Sequence, residues 1–226
     1  MRRYDVIVVG AGPAGSVLAY HAAQDGADVL LLDRASFPRD KPCGGGVTVR
    51  AASYLPIDLA PVVEREVYNV RFTLRLGRSF VHCHPQPLTY MTQRRRLDAY
   101  LAQQAVQAGA EFRDGVAVRS VDVGGDGVMV RADGYVYHGR VVVGADGANG
   151  IVGRCTRVAP DLDMGVALEG NIPLTDGESR LWQRTLALDL GGLPGGYSWA
   201  FPKGDHLNVG VFGQRYYGPH LRRSLA

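Results

Sequence analysis

The sequence has 226 residues, of which 46% are apolar and 21% are charged, as in ordinary globular proteins. Its formal net charge of +3 is small and its basic residues are scattered, so the composition indicates no nucleic-acid partner. No apolar run reaches the length of a transmembrane helix, and the three cysteines have neither metal nor disulfide spacing. We therefore expect a cytoplasmic protein without a metal site. Peripheral association with a membrane surface stays open.

The first elements in chain order form a βαβ unit. Residues 4–9 are a β-branched run typical of a strand that is buried on both faces. A helix over residues 13–25 and a second buried strand over residues 29–32 follow. Doubly wound sheets begin in this way, so the order predicts an α/β, Rossmann-like domain.

The later elements indicate a second region that is richer in strands. Residues 67–76 and 80–84 are predicted to be exposed strands, and residues 93–108 an amphipathic helix that ends at Gly109. Glycine-rich turns separate short strands in the middle of the chain, and only strands are predicted from about residue 165 onward. The predicted strands cover residues 115–123, 128–133, 135–138, 140–144 (short and buried), 165–172, 182–190, 197–201 and 206–212.

A glycine motif links the first strand to the first helix. Gly10 permits the tight turn, Gly12 lets a pyrophosphate approach the backbone, and Gly15 allows close packing of helix and strand. The helix N-terminus adds partial positive charge for phosphates. Asp33 ends the second strand, where a carboxylate can accept hydrogen bonds from ribose hydroxyls. We predict that this dinucleotide site comprises Gly10, Gly12, Pro13, Ala14, Gly15, Asp33 and Arg34.

A second motif distinguishes between FAD and NAD, both of which bind such a unit. The run Val141–Gly150 contains Asp146-Gly147 after a strand and resembles the second flavin motif of para-hydroxybenzoate-hydroxylase-like flavoproteins. The resemblance implies that Asp146 faces the ribityl and pyrophosphate region of FAD. Arg94, with Leu97-Asp98, similarly resembles the superfamily's cofactor-contacting arginine at a helix start. FAD is therefore the predicted cofactor.

The segment after the second strand resembles a loop of the geranylgeranyl reductase family. It reads Phe37-Pro38-Arg39-Asp40-Lys41-Pro42-Cys43-Gly44-Gly45-Gly46, and its glycines leave space beside a flat ring. The resemblance implies that Cys43, Gly44 and Gly45 lie near the isoalloxazine. A redox role for Cys43 is one interpretation, and a role in packing or polarity is the other.

An aromatic row carries the second resemblance to this family. In the strand Gly196-Tyr197-Ser198-Trp199-Ala200-Phe201-Pro202, alternate side chains share a face, so Tyr197, Trp199 and Phe201 lie together. The reductase family has a Tyr-x-Trp-x-Phe-Pro motif that lines its substrate cavity. The resemblance therefore implies that these three residues bind an isoprenoid chain, with Cys43, Tyr197 and Trp199 as catalytic residues. Packing of a second core by the row is the alternative.

The resemblance implies a flavin-dependent reductase that saturates isoprenoid double bonds of lipids or pigments. NADPH or a reduced ferredoxin-type carrier is the expected electron donor. A proton must also be supplied, and aromatic faces such as those of Trp199 and Tyr197 would stabilise a developing cation. A flavin monooxygenase or halogenase would share the fold, and a truncated, non-catalytic FAD-binding remnant is the third alternative.

Two domains are predicted, an FAD-binding domain over residues 1–62 and 92–164 and an incomplete substrate domain over residues 63–91 and 165–226. The superfamily's third flavin motif, a strand followed by Gly-Asp-Ala-Ala and a helix, is absent from the sequence. We therefore expect a truncated chain that lacks part of the flavin pocket unless a second chain completes it.

Overall fold

A computed structural model of the chain describes residues 2–158 and 163–222. Its strands are β1 (Arg3–Val9), β2 (Val29–Leu32), β3 (Gly46–Thr48), β4 (Val63–Val67), β5 (Asn69–Leu74), β6 (Ser79–Cys83), β7 (Thr89–Thr92), β8 (Glu111–Arg113), β9 (Val118–Gly124), β10 (Gly127–Ala132), β11 (Tyr135–Gly144), β12 (Gly165–Pro173), β13 (Thr185–Leu190), β14 (Tyr197–Pro202) and β15 (His206–Gln214). Its α-helices are α1 (Pro13–Gln24), α2 (Val49–Ala52), α3 (Arg94–Gln107), α4 (Ile151–Thr156) and α5 (Asp176–Leu181). Short 3₁₀ helices cover Ala60–Val62 and Arg215–His220. Among the described residues, no helix has both the length and the apolar character needed to cross a bilayer.

The chain divides into two compact units. The first unit comprises Met1–Lys41 with Arg94–Asp161, and the second comprises Pro42–Gln93 with Leu162–Ala226. This division differs from the predicted domain boundaries over residues 42–62, which the sequence prediction placed in the first domain. The segment groups with the second unit because β3 pairs antiparallel with β7. The functional assignment of the two domains stays a prediction.

The first unit contains a six-stranded sheet in the order β8-β2-β1-β11-β10-β9. The first four strands run parallel, while β10 and β9 pair antiparallel at one edge. Alternate side chains of β1 and β2 fill two separate cores. Ile7 and Leu30 contribute to one core, and Val8 and Leu31 to the other, together with residues of α1 and α3. The predicted α/β, Rossmann-like fold is confirmed.

Two local predictions about secondary structure are wrong. The strands predicted over residues 135–138 and 140–144 are one continuous strand, β11, whose residue Val141 is 52% exposed. The six-residue helix α4 packs mainly against β9 and leaves this part of β11 open. The strand-only prediction after residue 165 missed α5, which lies before β13. The short α5 carries too few turns for a clear helical periodicity.

The second unit contains two sheets. One has the order β12-β15-β14-β13-β5-β6, and the other has the order β3-β7-β4. All pairs are antiparallel except β13 with β5. Val67, Met91 and Leu186 form a buried cluster against which Phe201 packs. This cluster supports β14, the strand that carries the aromatic row.

Candidate functional site

The glycine turn of the first unit is enforced by close packing. Gly10 has a φ of +102°, and a Cβ on it would overlap the carbonyl oxygen of Ala145. A Cβ on Gly15 would overlap the carbonyl oxygen of Gly10. Larger residues at either position would therefore separate the turn from α1 or from the end of β11.

The two flavin motifs lie side by side at the carboxyl ends of parallel strands. Val9, the last residue of β1, is paired with Gly144, the last residue of β11. The N–H of Ala145 donates to the carbonyl of Val9 at 2.8 Å, which joins the second motif to the first. Ligands of open α/β sheets bind at this edge. The structure therefore brings Gly10 and the Asp146-Gly147 pair together, as a common cofactor would require.

Asp146 and Gly147 shape the second motif. One carboxylate oxygen of Asp146 accepts hydrogen bonds from the N–H groups of Ile151 and Val152, at 2.6 and 3.2 Å. These bonds hold the start of α4. Gly147 has a φ of +83° and is exposed, as the turn between β11 and α4 requires. The predicted contact of Asp146 with the ribityl chain stays a prediction.

Asp33 organises the glycine turn from the end of β2. Its carboxylate accepts a hydrogen bond from the N–H of Ala11 at 2.8 Å and another from Ala35 at 2.9 Å. It is only 8% exposed. Each oxygen retains acceptor capacity for a ribose hydroxyl, so the predicted role of Asp33 is chemically open. The neighbouring Arg34 is exposed.

Arg94 reaches the glycine turn from the first residue of α3. Its Nη2 atom lies 3.6 Å from the point that a Cβ on Gly12 would occupy. Gly12 is the N-cap residue of α1 and offers no side chain, so the first N–H groups of the helix can face a ligand. Pro13 and exposed Ala14 follow within the first turn. Guanidinium, bare glycine and helix N-terminus together fit the pyrophosphate of FAD.

A buried carboxylate that the sequence prediction did not select holds this arginine. Asp98 is 1% exposed and accepts two hydrogen bonds from Arg94, each at 2.7 Å. The Nη1 atom of Arg39 lies 2.7 Å from Asp98 Oδ2 and forms an ion pair with it that lacks hydrogen-bond geometry. Arg39 also lies 3.9 Å from Asp33. Asp98 thus connects the arginine at the glycine turn with the acid at the end of β2.

The sequence contains a signal for this network. Asp98 stands four residues after Arg94, which is the spacing of side-chain pairs on one helix face. It also follows buried Leu97 and precedes buried Leu101 in α3, so it lies near the apolar stripe of the helix. An aspartate at such a position is almost never fully buried without a partner. The partner from the loop after β2, Arg39, could not be inferred from spacing.

The glycine loop of the second unit packs directly against the aromatic row. A Cβ on Gly44 would lie 2.8 Å from the ring of Phe201 and 3.3 Å from the indole nitrogen of Trp199. Cys43 is exposed, donates its backbone N–H to Glu169 at 2.8 Å, and accepts from the N–H of Gly45 through Sγ at 3.4 Å. Both segments that resemble geranylgeranyl reductases therefore belong to one structural feature.

The aromatic row lies on one face of β14, as the strand alternation predicts. The ring centroids of Tyr197 and Trp199 are 6.1 Å apart, and those of Trp199 and Phe201 are also 6.1 Å apart. Tyr197 is 39% exposed, whereas Trp199 is 8% exposed. Of the three residues, Tyr197 is the most exposed and Trp199 is the most buried. The catalytic and substrate-binding roles of the row stay predictions.

The indole of Trp199 has a fixed orientation. Its Nε1–H donates to Asn208 Oδ1 at 2.8 Å, and Asn208 Nδ2 donates to Asn171 Oδ1 at 3.0 Å. A Cβ on Gly210 would overlap the six-membered part of the ring, so only glycine leaves room for it. Part of the row is therefore built into the β12-β15-β14 sheet.

A cleft of about 670 Å³ lies elsewhere in the second unit. Its walls come from α2, the segment after it, β4 and β7, and they combine apolar and acidic side chains. The lining residues include none of the three aromatic residues of β14. They are Val49, Ala52, Ser53, Ile57, Asp58, Leu59, Ala60, Val63, Glu64, Arg65, Glu66 and Tyr90.

The chain is similar in sequence to known reductases. The chain is 33% identical to digeranylgeranylglycerophospholipid reductase 1 of Methanopyrus kandleri, over 92% of this chain and 57% of the relative. It is 34% identical to menaquinone reductase of Mycolicibacterium smegmatis, over 92% of this chain and 54% of the relative. The chain thus spans about half of the length of these relatives.

Solved structures show the same fold. A geranylgeranyl bacteriochlorophyll reductase-like protein from Thermoplasma acidophilum superposes with a TM-score of 0.82 and 25% identity, over 100% of this chain and 61% of that one. A variant of the halogenase PltM in complex with FAD superposes with a TM-score of 0.75 and 17% identity, over 95% of this chain and 52% of that one. Residues 3–179 match the family described as FAD binding domain. The chain, with both flavin motifs at one sheet edge, belongs to this family of FAD-binding proteins.

Proposed function

We propose that the chain is part of an FAD-dependent reductase that saturates double bonds of an isoprenoid chain carried by a lipid, quinone or pigment. The observation that carries the proposal is the packing of Gly44 against Phe201 and Trp199, which joins the two reductase-like segments in one place. Relatives named as a geranylgeranyl lipid reductase and a menaquinone reductase support this substrate class. Both names describe molecules with isoprenoid chains.

Each unit contributes a separate part of the proposed activity. In the first unit, the glycine turn, Asp33, Arg94 and Asp146 would hold FAD, which when bound supplies the hydride for the alkene. In the second unit, Tyr197 presents partly exposed aromatic surface, and apolar surface suits an isoprenoid chain better than a charged substrate. An isolated alkene also needs a proton, and an aromatic face lowers the energy of positive charge that develops near it.

The first test asks whether the chain holds its cofactor. The purified chain is denatured, and any released nucleotide is identified by chromatography. We expect stoichiometric FAD, retained on purification or after reconstitution. Gly26→Ala serves as the control for Gly10→Ala, because its backbone φ of +84° is similar to the +102° of Gly10 but no atom lies within 4 Å of its Cβ position. Absence of FAD from reconstituted wild-type chain would contradict the proposal.

The second test asks what the flavin does. We expect NADPH or a reduced ferredoxin-type carrier to reduce the flavin, which is seen as bleaching of its absorbance. An isoprenoid substrate should then reoxidise the flavin in the absence of oxygen, and mass spectrometry should show that its double bonds have gained hydrogen. Stoichiometric oxygen consumption with a hydroxylated or halide-dependent product would instead identify a monooxygenase or halogenase. FAD that no donor reduces would identify a non-catalytic chain, or one that needs a second chain.

A further inference from the structure

The loop Cys43–Gly45 is fastened to the end of β7 by a small set of hydrogen bonds. Thr92 donates both its backbone N–H and its hydroxyl to the carbonyl of Gly45, at 2.8 and 3.0 Å. Lys203, which follows β14, donates from Nζ to the carbonyls of Gly44 and Thr92, at 2.7 and 2.8 Å. One ammonium group therefore ties the loop that packs on the aromatic row to the strand beside it.

Burial makes this ammonium unusual. Lys203 is 2% exposed, although charged lysines are almost never fully buried unless they are paired. Its desolvation lowers the pKa of Lys203 to about 8, and the neighbouring charges of Glu64, Cys43 and Glu169 oppose that shift. The backbone carbonyls of Gly44 and Thr92 satisfy two of its three donors.

The residue type fits the space. The sequence has two lysines among its 25 basic residues, Lys41 and Lys203, and all the others are arginine. A Cβ on Gly45 would lie 2.8 Å from Lys203 Nζ, so the amine and the bare glycine occupy adjoining volumes. A planar guanidinium is larger and spreads its donors in a rigid fork, whereas an ammonium can direct compact donors at two nearby carbonyls.

We propose that Lys203 is a positioning residue that holds the Cys43–Gly45 loop against Trp199 and Phe201, and so shapes the surface assigned above to the isoprenoid chain. The inference rests on the proposed function only in assigning that surface to an isoprenoid substrate. The contact itself belongs to the second unit, so it can be tested on the chain without cofactor or substrate.

Quenching of tryptophan fluorescence by acrylamide tests the contact. Trp182→Phe leaves Trp199 as the single reporter, because the sequence has two tryptophans. In that background Lys203→Met removes the ammonium at similar length, and exposed Lys41→Met is the matched control. We expect Lys203→Met to raise the quenching constant about twofold at neutral pH as the loop opens, and Lys41→Met to leave it unchanged.

The pH profile shows whether the amine of Lys203 itself acts on the loop or whether its aliphatic stem merely packs there. The pKa of Lys203 is lower in the buried state than in water, so opening of the loop, which hydrates the amine, is favoured by the protonated form. Quenching of the Lys203 protein should therefore fall as pH rises through about 8, while Lys203→Met should show a high value without that step. Equal quenching in Lys203→Met and Lys41→Met, with the same pH profile, would overturn the proposal.

A measurement on the unaltered chain keeps the proposal testable if Lys203→Met does not fold. With ¹⁵N- and ¹³C-labelled lysine, NMR shows two side chains, which Lys41→Met assigns. We expect a protected ammonium signal for Lys203 at neutral pH and a carbon titration at about 8. An unprotected signal that titrates at the ordinary lysine value would overturn the proposal. Neither result depends on FAD binding or reductase activity.

Discussion

Replacement of Asp98 by asparagine tests the buried charge network of the first unit. The substitution preserves shape but removes the negative charge between Arg94 and Arg39, whose side chains are 16% and 15% exposed. It also presents an amide N–H₂ group to two cationic donors. Asparagine can still accept one of the two bonds that Arg94 now makes at 2.7 Å.

The expected cost follows from the burial. Removal of one partner from a buried ion pair typically costs about 3–5 kcal/mol because the remaining charge stays desolvated. Both arginines keep a small exposure and Arg39 keeps Asp33 within 3.9 Å, so the lower end applies. We expect Asp98→Asn to lower the free energy of unfolding by about 3 kcal/mol. The released Arg94 should also weaken FAD binding.

Urea unfolding followed by circular dichroism measures this loss, and flavin fluorescence measures the affinity for FAD. Asp40→Asn is a matched control because Asp40 pairs at 3.2 Å with Arg95 of the same helix, with side-chain exposures of 81% and 54%. An exposed pair of this kind contributes about 0–1 kcal/mol. If Asp98→Asn were as stable as Asp40→Asn, the buried network would not carry the energy assigned to it.

Three further predictions concern other parts of the site. Gly10→Ala should abolish FAD retention while Gly26→Ala keeps it, because only a Cβ at position 10 would overlap other backbone atoms. Chromatography of the released nucleotide measures the retention, and equal retention in the two variants would refute the packing argument. Since the pKa of Lys203 in the folded chain, about 8, lies below the ordinary 10.5, the unfolded chain binds more protons between those values, so stability should increase as pH rises through that window. Between about pH 7 and about pH 10 the gain should be about 2–3 kcal/mol larger in wild type than in Lys203→Met by urea unfolding, and parallel profiles would contradict it. Asn208→Leu should cost about 1–3 kcal/mol in the same assay because the buried indole N–H of Trp199 loses its acceptor, and wild-type stability would show that another group accepts it.

Features encoded by neighbouring residues could be predicted from the sequence. The glycine turn between β1 and α1, the buried run of β2 and the alternation of aromatic residues in β14 all depend on spacing within a few residues. Their identification needed no knowledge of the rest of the fold. Each flavin motif was identified in the sequence as a turn after a strand, whereas the pairing of β1 with β11 that puts the two motifs side by side is seen only in the structure.

Contacts made by residues far apart in sequence could not be predicted in this way. The approach of Arg39 to Asp98 and of Lys203 to Gly44 depends on how loops return to the sheets. A single lysine beside an apolar strand carries no periodic signal. The sequence places residues 42–62 in the first domain, but β3 of this segment pairs with β7, which lies more than 40 residues further along the chain. No local rule identifies such a partner.

The pairing of β1 with β11 has a consequence for synthesis of the chain. Val9 aligns with Gly144, so two neighbouring strands of the first sheet are separated by most of the chain. Closing so long a loop is slow, and proteins dominated by such distant pairings fold slowly. On the ribosome, the first βαβ unit must wait for β11 with one edge of β1 unpaired. A chaperone that shields strand edges should therefore raise the soluble yield more than one that acts on the completed chain.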